Sequence, residues 1–223
     1  MSARIRFEDA RVRDDLATYF GRAGRIEDGS VLVEQIGSAV AFWVPVLRPA
    51  GILDRSPLTI GVRAIAGEVL DADSSDCASG RFEAVVPLRG FLDRLAREAS
   101  GDAALELSVP SERRLESWTG RRPPLHGWTL VGQLDAAAVL AAAEAGIAAV
   151  ANSADQQAGR TDTWTRELPD SCGALAGDTR PPAGVAFAGH ALGFWRAGDP
   201  IAVHIAAGWW RLVSRTGQIL AQR

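Results

Sequence analysis

Apolar positions in the first third of the chain change from helical to strand-like spacing. Residues 4–7 predict a short strand, after which Asp9 caps a helix that Gly21 ends. The apolar positions of this helix fall on one stripe: Val12, Leu16, Tyr19 and Phe20. Three strand-like runs follow, at 31–36, 39–44 and 58–65. Because only Gly37 and Ser38 separate the first two runs, we predict a hairpin that continues as an antiparallel meander.

The pattern then predicts a polar loop, a strand, a helix and a further strand. The loop covers 71–80, and the strand covers 82–86. Pro87 opens a helix that Gly101 ends, with stacked apolar positions Leu88, Leu92, Leu95 and Ala99. Residues 104–109 alternate as a strand. The arginine- and proline-rich segment 111–127 is typical of a linker between 1–110 and 128–223, although the length also suits one domain.

The second half opens with a short strand at Trp128 and then shows the clearest helical pattern in the chain. Asp135 is the predicted N-cap, and Leu134 before it can pack on Val139 as a hydrophobic staple. The buried face is predicted to hold Val139, Ala143, Ile147 and Val150. Residues 159–184 are loop-like, with Trp164 on a short strand. A second helix spans 185–195, with Phe187, Ala191, Leu192 and Trp195 at helical spacing.

Two tryptophans begin the last predicted hairpin. Residues 201–206 alternate as a half-buried strand, and the run from Trp209 is its partner, followed by a third strand at 218–222. A two-residue turn places Ile205 opposite Trp210, but it requires a positive φ at Ala207. A three-residue turn avoids that cost and places His204 opposite Trp210. The pattern favours the first register and the turn chemistry favours the second.

These elements predict an α+β protein. An antiparallel meander with packed helices is followed by an alanine-rich helix, a second helix and a C-terminal β-hairpin. Two helices followed by a hairpin are also the arrangement of a winged helix, with Arg211 and Arg215 on the wing. The preceding helix has only Arg196 near its end, which is too little to contact base edges. We therefore favour closing strands, in which at least one of the two tryptophans covers the core.

Composition excludes several classes of protein. The chain has 223 residues, of which 47% are hydrophobic and 23% charged, a composition typical of a globular protein. Its formal charge is −3, so the molecule has no net positive electrostatic field that would attract nucleic acid. All 24 basic residues are arginine, which excludes a Schiff-base lysine, a P-loop lysine and a kinase lysine.

The N-terminus lacks the apolar core of a signal peptide and no run is long enough to span a membrane, so we expect a cytoplasmic protein. Cys77 and Cys172 are expected to be free thiols.

Two segments could bind a ligand or a partner. The first interleaves arginine with aromatic residues, an arrangement that suits stacking and phosphate contacts. Its candidates are Arg121, Arg122, His126 and Trp128. The second is the C-terminal hairpin, whose candidates are His204, Trp210 and Arg211. In the first segment, Glu112 and Glu116 offset much of the charge, so we favour a solvated linker with Trp128 anchored in the core.

No motif for catalysis, metal binding or a cofactor is found. Asp71, Asp73 and Asp76 resemble a calcium loop, but the sixth and twelfth positions of the pattern hold Asp76 and Phe82 instead of glycine and glutamate. His126, His190 and His204 are far apart and have no metal-ligand spacing. A triad assembled from distant residues would leave no local signature, so no residue is assigned a catalytic role.

One resemblance covers much of the second half. The runs PPLHGWTLVGQLDAAAVLAAAEAGIAAVA, AFAGHALGFW and VHIAAGWWRLVSRTGQIL, together with VVPLRGFLDRLA in the first half, resemble a family of hypothetical proteins from GC-rich actinobacteria. That family has no assigned activity, ligand or catalytic residue. The resemblance implies only a bacterial source and a cytoplasmic setting.

The sequence therefore favours a non-catalytic interaction or regulatory protein. Seven tryptophans are more than a core of this size usually needs, and tryptophan is enriched at interfaces, so we expect a homodimer or a protein partner. One alternative is a nucleic-acid-binding protein that uses the hairpin and Arg121 with Arg122. Another is an enzyme with an aromatic-lined pocket for a small molecule.

Overall fold

The structure, a computed structural model, describes residues 3–49, 51, 54, 56–73, 76–78, 81–98 and 105–222. The chain divides into two compact units. One consists of 1–44 and 62–120, and the other of 45–61 and 121–223. Strands β3 (Ala39–Leu47) and β4 (Thr59–Leu70) contribute residues to both units. The second unit therefore includes a segment from the first third of the sequence.

The first unit combines a sheet with helices. Besides β3 and β4, its elements are β1 (Arg4–Phe7), α1 (Arg11–Ile26), β2 (Ser30–Ile36), β5 (Cys77–Ala78), β6 (Arg81–Pro87), α2 (Leu88–Glu98) and β7 (Glu106–Ser108). The strand order is β5-β6-β2-β3-β4, and β1 pairs with both β4 and β7. Strands β2, β3 and β4 are neighbours, as in the predicted meander, but β6 pairs antiparallel with β2 on its other side.

Aromatic rings from both helices meet the sheet in the core of this unit. The ring of Phe20 on α1 stacks on Phe91 of α2 at 5.0 Å, and both meet the edge of Phe42 from β3. The predicted stripe of α1 is buried at Leu16, Tyr19 and Phe20. The predicted strand residue Ala104 and the helix-end residues Ala99 and Gly101 lie outside the described residues.

Both predicted ends of α1 were wrong. The N-cap is Ala10. Asp9, one position earlier, accepts a hydrogen bond from the Arg11 backbone N–H at 2.9 Å. The helix continues through Gly21 to Ile26. Beyond Gly21, Ala23 is buried and Gly24 lies against Leu88 and Leu92 of α2, so tertiary packing outweighs the low helix propensity of glycine, about 1 kcal/mol.

From residue 121 onwards, the described elements are one strand, then helices, then three further strands. These elements of the second unit are β8 (Thr129–Asp135), α3 (Ala136–Ala151), α4 (Gln156–Thr165), α5 (Gly184–Leu192), β9 (Pro200–Ala206), β10 (Trp209–Val213) and β11 (Gln218–Gln222). The strands β8 to β11 are sequential antiparallel neighbours. The segment before β4 joins this sheet, because the backbone N–H of Gln222 donates to the Leu58 carbonyl at 3.0 Å.

The hairpin adopts the register that the apolar pattern favours. Ile205 lies opposite Trp210, and His204 lies opposite Arg211. The two-residue turn takes positive φ at Ala207, 37°, and at Gly208, 82°. Trp209 and Trp210 are 4% and 3% exposed, so both indole rings are buried. Burying these large side chains outweighs the local cost of an alanine in the left-handed region.

The winged-helix comparison was wrong. In a wing the hairpin projects from the helices, whereas here β9 pairs along its length with β8 and β10 pairs with β11. The strands therefore form a continuous sheet rather than a free hairpin. Arg215 lies in the loop after β10 and is exposed, with its Nε 3.9 Å from Asp199.

The alanine-rich helix begins as predicted but buries a different face. The side chain of Asp135 accepts from the Ala138 N–H at 3.0 Å, which confirms the N-cap. Ala136, Val139, Ala143 and Gly146 are the buried residues of α3. Ile147, predicted to be buried, is 38% exposed. Gly146 lies against the Trp164 ring, so the helix turns its glycine rather than Ile147 towards the core.

The segment between α3 and α5 also differs from the prediction. Trp164 lies in helix α4 rather than on a short strand, and Asp155 caps that helix through hydrogen bonds from Gln157 and Ala158. Helix α5 ends at Leu192 because Gly193 adopts the left-handed conformation, with φ 72°. Trp195, which was predicted to lie in this helix, follows it and donates to the Val185 and Ala186 carbonyls.

Candidate functional site

A cavity of about 390 Å³ lies within the second unit. It is lined by residues from four separate parts of the chain: Ser56, Pro57, Leu58, Arg121, Thr165, Glu167, Thr179, Arg180, Pro182, Trp210 and Gln222. Two of the predicted site residues, Arg121 and Trp210, are brought together here. Its volume falls within the range of sites that hold small molecules or a few side chains of a partner.

The end of the C-terminal sheet forms one side of the cavity. Trp210 is the second residue of β10, between Ile205 of β9 and Ala221 of β11. Leu58 is fixed beside it by the hydrogen bond from Gln222. Burial of Trp210 in this sheet places a rigid aromatic surface at the cavity, next to Pro57 and Leu58.

A short two-stranded segment that follows α4 forms the other side. The Leu168 N–H donates to the Pro181 carbonyl at 2.9 Å, and the Ala183 N–H donates to the Arg166 carbonyl at 2.6 Å. Glu167 and Pro182 pair across this segment and both line the cavity. Backbone hydrogen bonds therefore help to hold this wall in place.

Arg180 is a fixed positive charge in the wall. Its Nε donates to the Leu168 carbonyl at 2.8 Å, and its Nη2 donates to the carbonyls of Pro169 and Gly173 at 3.1 and 2.9 Å. Nη1 lies 3.2 Å from a carboxylate oxygen of Asp170. Because the side chain is only 13% exposed and most of its donors are used, Arg180 organises the 168–173 segment and adds its charge to the site.

Arg121 is held much more weakly. The residue is exposed, and its Nη1 donates to the Gln222 side-chain oxygen at 3.5 Å, the outer limit of a hydrogen bond. Arg122, the next residue, is half-buried and does not line the cavity. The arginine pair predicted from sequence therefore contributes one member to this site.

Three other predicted residues form a separate cluster on β8 to β11. The guanidinium carbon of Arg211 lies 5.7 Å from the centre of the Trp128 ring, and its Nε donates to Gln218 at 2.6 Å. Trp128 is half-buried rather than anchored in the core, and its Nε1 donates to the Pro124 carbonyl at 3.0 Å. His204 lies beside Arg211 in the register.

Charge and burial act together in this cluster. Burial lowers the pKa of His204, and the positive charge of Arg211 lowers it further, although the Arg211 backbone opposes this change through a hydrogen bond. Burial also lowers the pKa of Arg211. His204 is therefore neutral at pH 7, and the cluster carries the single charge of Arg211. His126 is exposed and lies outside both groups.

No sequence pattern indicated most of the cavity. Arg180 precedes two prolines and shows no motif, and Ser56 lies in a loop. Glu167, Thr179 and Gln222 are ordinary polar residues in the sequence. The walls that carry them are set by tertiary pairing, Gln222 with Leu58 and Glu167 with Pro182. No sequence periodicity encodes such contacts.

The described lining residues include neither histidine nor cysteine. Across the described ranges, no group of three or more histidine, cysteine, aspartate or glutamate side chains is placed to hold a metal ion. In the predicted polar loop, Asp76 forms an ion pair with Arg113. None of the helices that the structure describes is long and apolar enough to cross a membrane.

Solved structures of sliding clamps share this fold. The DNA polymerase sliding clamp from Caulobacter crescentus matches all of this chain at 10% identity, with a TM-score of 0.53. The DnaN sliding clamp from Bartonella birtlesii bound to griselimycin matches all of it at 12% identity and 0.55. The DNA polymerase III subunit beta from Borrelia burgdorferi, in complex with a natural product, matches all of it at 9% and 0.57.

The comparison corrects the predicted fold class. The described antiparallel strands and helices follow the α+β fold of sliding clamps, not a meander followed by a winged-helix-like half. The chain spans 64 to 65% of the length of these clamps, so it corresponds to part of each one. At 9 to 12% identity the likeness shows the fold alone.

Two family models match the sequence in succession. No curated protein matches it. Residues 123–223 match a model described as a domain of unknown function, DUF8185. Residues 1–115, more than half of the 223 residues, match a second model, also described as a domain of unknown function. The chain therefore belongs to the DUF8010 family.

Proposed function

We propose that this chain is a non-catalytic interaction protein of the sliding-clamp fold, and that the cavity of its second unit holds an extended segment of a partner protein. The observation that carries the proposal is the cavity itself. Trp210 and Leu58, both buried in the sheet, lie behind half-buried Pro57 at the base of the cavity, beside exposed polar side chains on a hydrogen-bonded backbone.

The walls suit a chain better than a compact molecule. Arg121, Thr165, Glu167 and Thr179 line the cavity and are exposed, so it is open along that side. An extended peptide can place one side chain on Pro57 and continue along the open side. The frame is held by backbone pairing at Leu168 and Ala183, so little ordering is needed on binding.

The comparisons support a binding role. The Bartonella clamp is bound to griselimycin, and the Borrelia subunit is in complex with a natural product. These facts concern those proteins, and their identity to this chain is 12% and 9%. For this chain they support a fold on which a ligand can bind.

A peptide selection tests the proposal. A random 12-residue peptide library displayed on phage is selected on the full chain, and enriched peptides are synthesised and titrated by calorimetry. Replacing Thr165 with Trp fills the cavity from its open side, whereas Gln157→Trp adds the same ring to an exposed position on α4 outside it. We expect Thr165→Trp to weaken binding at least about tenfold, or about 1.4 kcal/mol, and Gln157→Trp to leave it unchanged.

Two results would overturn the proposal. One is that no peptide is enriched over a bare support. The other is that peptides bind equally well to wild type and to Thr165→Trp. Thermal unfolding of both variants checks that each is folded, since both positions are exposed.

A nucleic-acid role is the second candidate, and the first unit supplies the observation that favours it. Helices α1 and α2 pack side by side, with Gly24 against Leu92, and they expose Arg25, Arg89 and Arg97. In the second unit, Glu144 is the one charged residue of α3, so that helix offers no cation to a phosphate. Of these three helices, α1 and α2 are therefore the ones expected to contact DNA.

Fluorescence anisotropy with a labelled DNA duplex tests this candidate. We expect binding at 50 mM salt that weakens steeply by 200 mM, and a shallower salt dependence for the double variant Arg89→Gln with Arg97→Gln. The matched control is Arg160→Gln, on exposed α4 of the second unit. Absence of binding at 50 mM salt rejects the candidate.

Self-association remains a proposal as well. Strand β8 ends the described strand order, residues 175 and 176 pair with only part of its outer edge at Val131 and Gly132, and Leu130 on it is 57% exposed. Exposed apolar side chains on an outer strand are typical of surfaces that pair with another chain. Light scattering of the full chain at several concentrations measures the mass directly, and a strict monomer at high concentration contradicts this part of the proposal.

A further inference from the structure

We infer that the segment bound in the cavity carries a carboxylate which pairs with Arg121. This inference rests on the proposed function and specifies the chemistry of the partner. It concerns the cavity side chains of the second unit alone.

Arg121 is the side chain best placed to recognise an incoming charge. Its contact with the Gln222 side chain, at 3.5 Å, is long for a hydrogen bond, and the residue is exposed. A carboxylate would replace this contact with a charge-assisted hydrogen bond, for which N to O distances of about 2.7 to 2.9 Å are usual. The exchange therefore gives up a weak contact for a strong one.

The remaining charges of the cavity favour an acidic over a basic segment. Among the described lining residues, Arg121 and Arg180 are cationic and Glu167 is anionic. Asp170 offsets part of the Arg180 charge, but its side chain is 95% exposed and water screens it. Glu167 accepts from the Arg180 backbone N–H at 3.3 Å, which draws its carboxylate towards the wall.

Arg180 cannot take the place of Arg121 in this role. Three backbone carbonyls already accept from its Nε and Nη2, and breaking them would release the 168–173 segment that shapes the wall. It contributes a fixed positive field, whereas Arg121 can reorient to meet a ligand. The site thus combines one rigid and one adjustable cation.

Gln222 provides a second contact once Arg121 has turned. Its backbone is fixed by the bond to Leu58, so its side chain stays at the cavity when the Arg121 contact breaks. The freed amide oxygen can accept an N–H from the backbone of an extended segment, and the amide nitrogen can donate to a carbonyl. This gives a peptide a backbone contact beside the carboxylate.

A double-mutant cycle tests the inference. The probes are a cavity-binding peptide from the selection and its analogue with the acidic residue replaced by its amide, Glu by Gln or Asp by Asn. Each is titrated against wild type, Arg121→Gln and the control Arg160→Gln, which removes the same charge from an exposed position outside the cavity. We expect the amide analogue to bind wild type and the control about fivefold more weakly than the acidic peptide. Arg121→Gln should bind both peptides equally, at the weaker level.

The outcomes separate this inference from the proposed function. If selected peptides bind and Thr165→Trp blocks them, but they lack an acidic residue or lose nothing as amides, the inference fails and the proposed function stands. An unchanged fivefold difference with Arg121→Gln also overturns the inference, because the carboxylate then pairs elsewhere. If no peptide depends on the cavity, both fail. Thermal unfolding confirms that Arg121→Gln is folded.

Discussion

The guanidinium of Arg211 lies over the Trp128 ring, with its central carbon 5.7 Å from the ring centre. The arginine also donates to Gln218, so its charge is held in one position. Residue 211 faces His204 across the β9 and β10 pair. A fixed cation therefore lies next to a partly buried imidazole, and the two side chains influence each other electrostatically.

Replacing Arg211 with Gln is expected to raise the pKa of His204. Burial and the Arg211 charge lower this pKa below its ordinary value of about 6.5, so removing the charge relieves one of the two causes. NMR titration of the imidazole protons measures the change. An unchanged pKa at His204 would show that burial alone sets it.

The same shift makes stability depend on pH. With a lowered pKa in the folded state, the unfolded chain binds more protons between that pKa and about 6.5, so the free energy of unfolding rises with pH across this window. Stability contributed by neutral His204 is lost as pH falls through the window. Urea unfolding of wild type and Arg211→Gln between pH 5 and 7.5 should show that the free energy of unfolding depends less on pH in the variant.

Replacing Ala207 with Gly is expected to stabilise the protein by about 1 kcal/mol. Ala207 has a φ of 37°, in the left-handed region where a Cβ is unfavourable and glycine is not. Ala207→Asn, which creates an Asn-Gly turn, should also stabilise. Urea unfolding measures the change in the free energy of unfolding for both variants.

Position 208 provides the opposite test. Gly208 has a φ of 82°, so Gly208→Ala should destabilise by a similar amount, about 1 kcal/mol. If both Ala207→Gly and Gly208→Ala leave the free energy of unfolding unchanged, the turn does not have the two-residue geometry that places Trp210 opposite Ile205.

Features with local causes were predicted well from the sequence. The alternation of Val203 and Ile205 identified a half-buried strand, and Asp135 identified the start of α3. Strand faces follow from a period of two, and a cap depends on residues three apart. The hairpin register needed a comparison of energies, and burial of the Trp210 ring outweighed the strain at Ala207.

Features that depend on tertiary contacts were missed. Gly21 did not end α1, because Ala23 is buried beyond it, and Trp164 was not recognised as helical although Asp155 caps its helix. Within the cavity, Arg121 and Trp210 were predicted as separate candidates, whereas Arg180 was not predicted at all. Local patterns give the faces of single elements, and the meeting of distant segments depends on packing.

Two glycine replacements are expected to have opposite effects. Gly21 lies inside α1 with nothing within 4 Å of the position of an added Cβ, so Gly21→Ala should stabilise by about 0.5 to 1 kcal/mol. Gly146 lies inside α3, where an added Cβ would collide with the Trp164 ring, so Gly146→Ala should destabilise by about 1 to 3 kcal/mol. Chemical denaturation measures the change in the free energy of unfolding for both variants. If both changes have the same sign, the packing of α3 on α4 is contradicted.

The two cysteines are expected to differ strongly in reactivity. Cys77 is exposed, whereas Cys172 is 0% exposed and its pKa is raised, chiefly by burial, with the Arg180 charge opposing this and Asp135 adding to it. A thiol-specific disulfide reagent at pH 8 should react at once with Cys77 and on the order of a hundredfold more slowly with Cys172, which must first be exposed by local opening. The variants Cys77→Ser and Cys172→Ser assign the two phases, and both thiols should react quickly in denaturant. A fast phase that persists in Cys77→Ser would show that the packing around Cys172, next to the segment held by Arg180, opens readily.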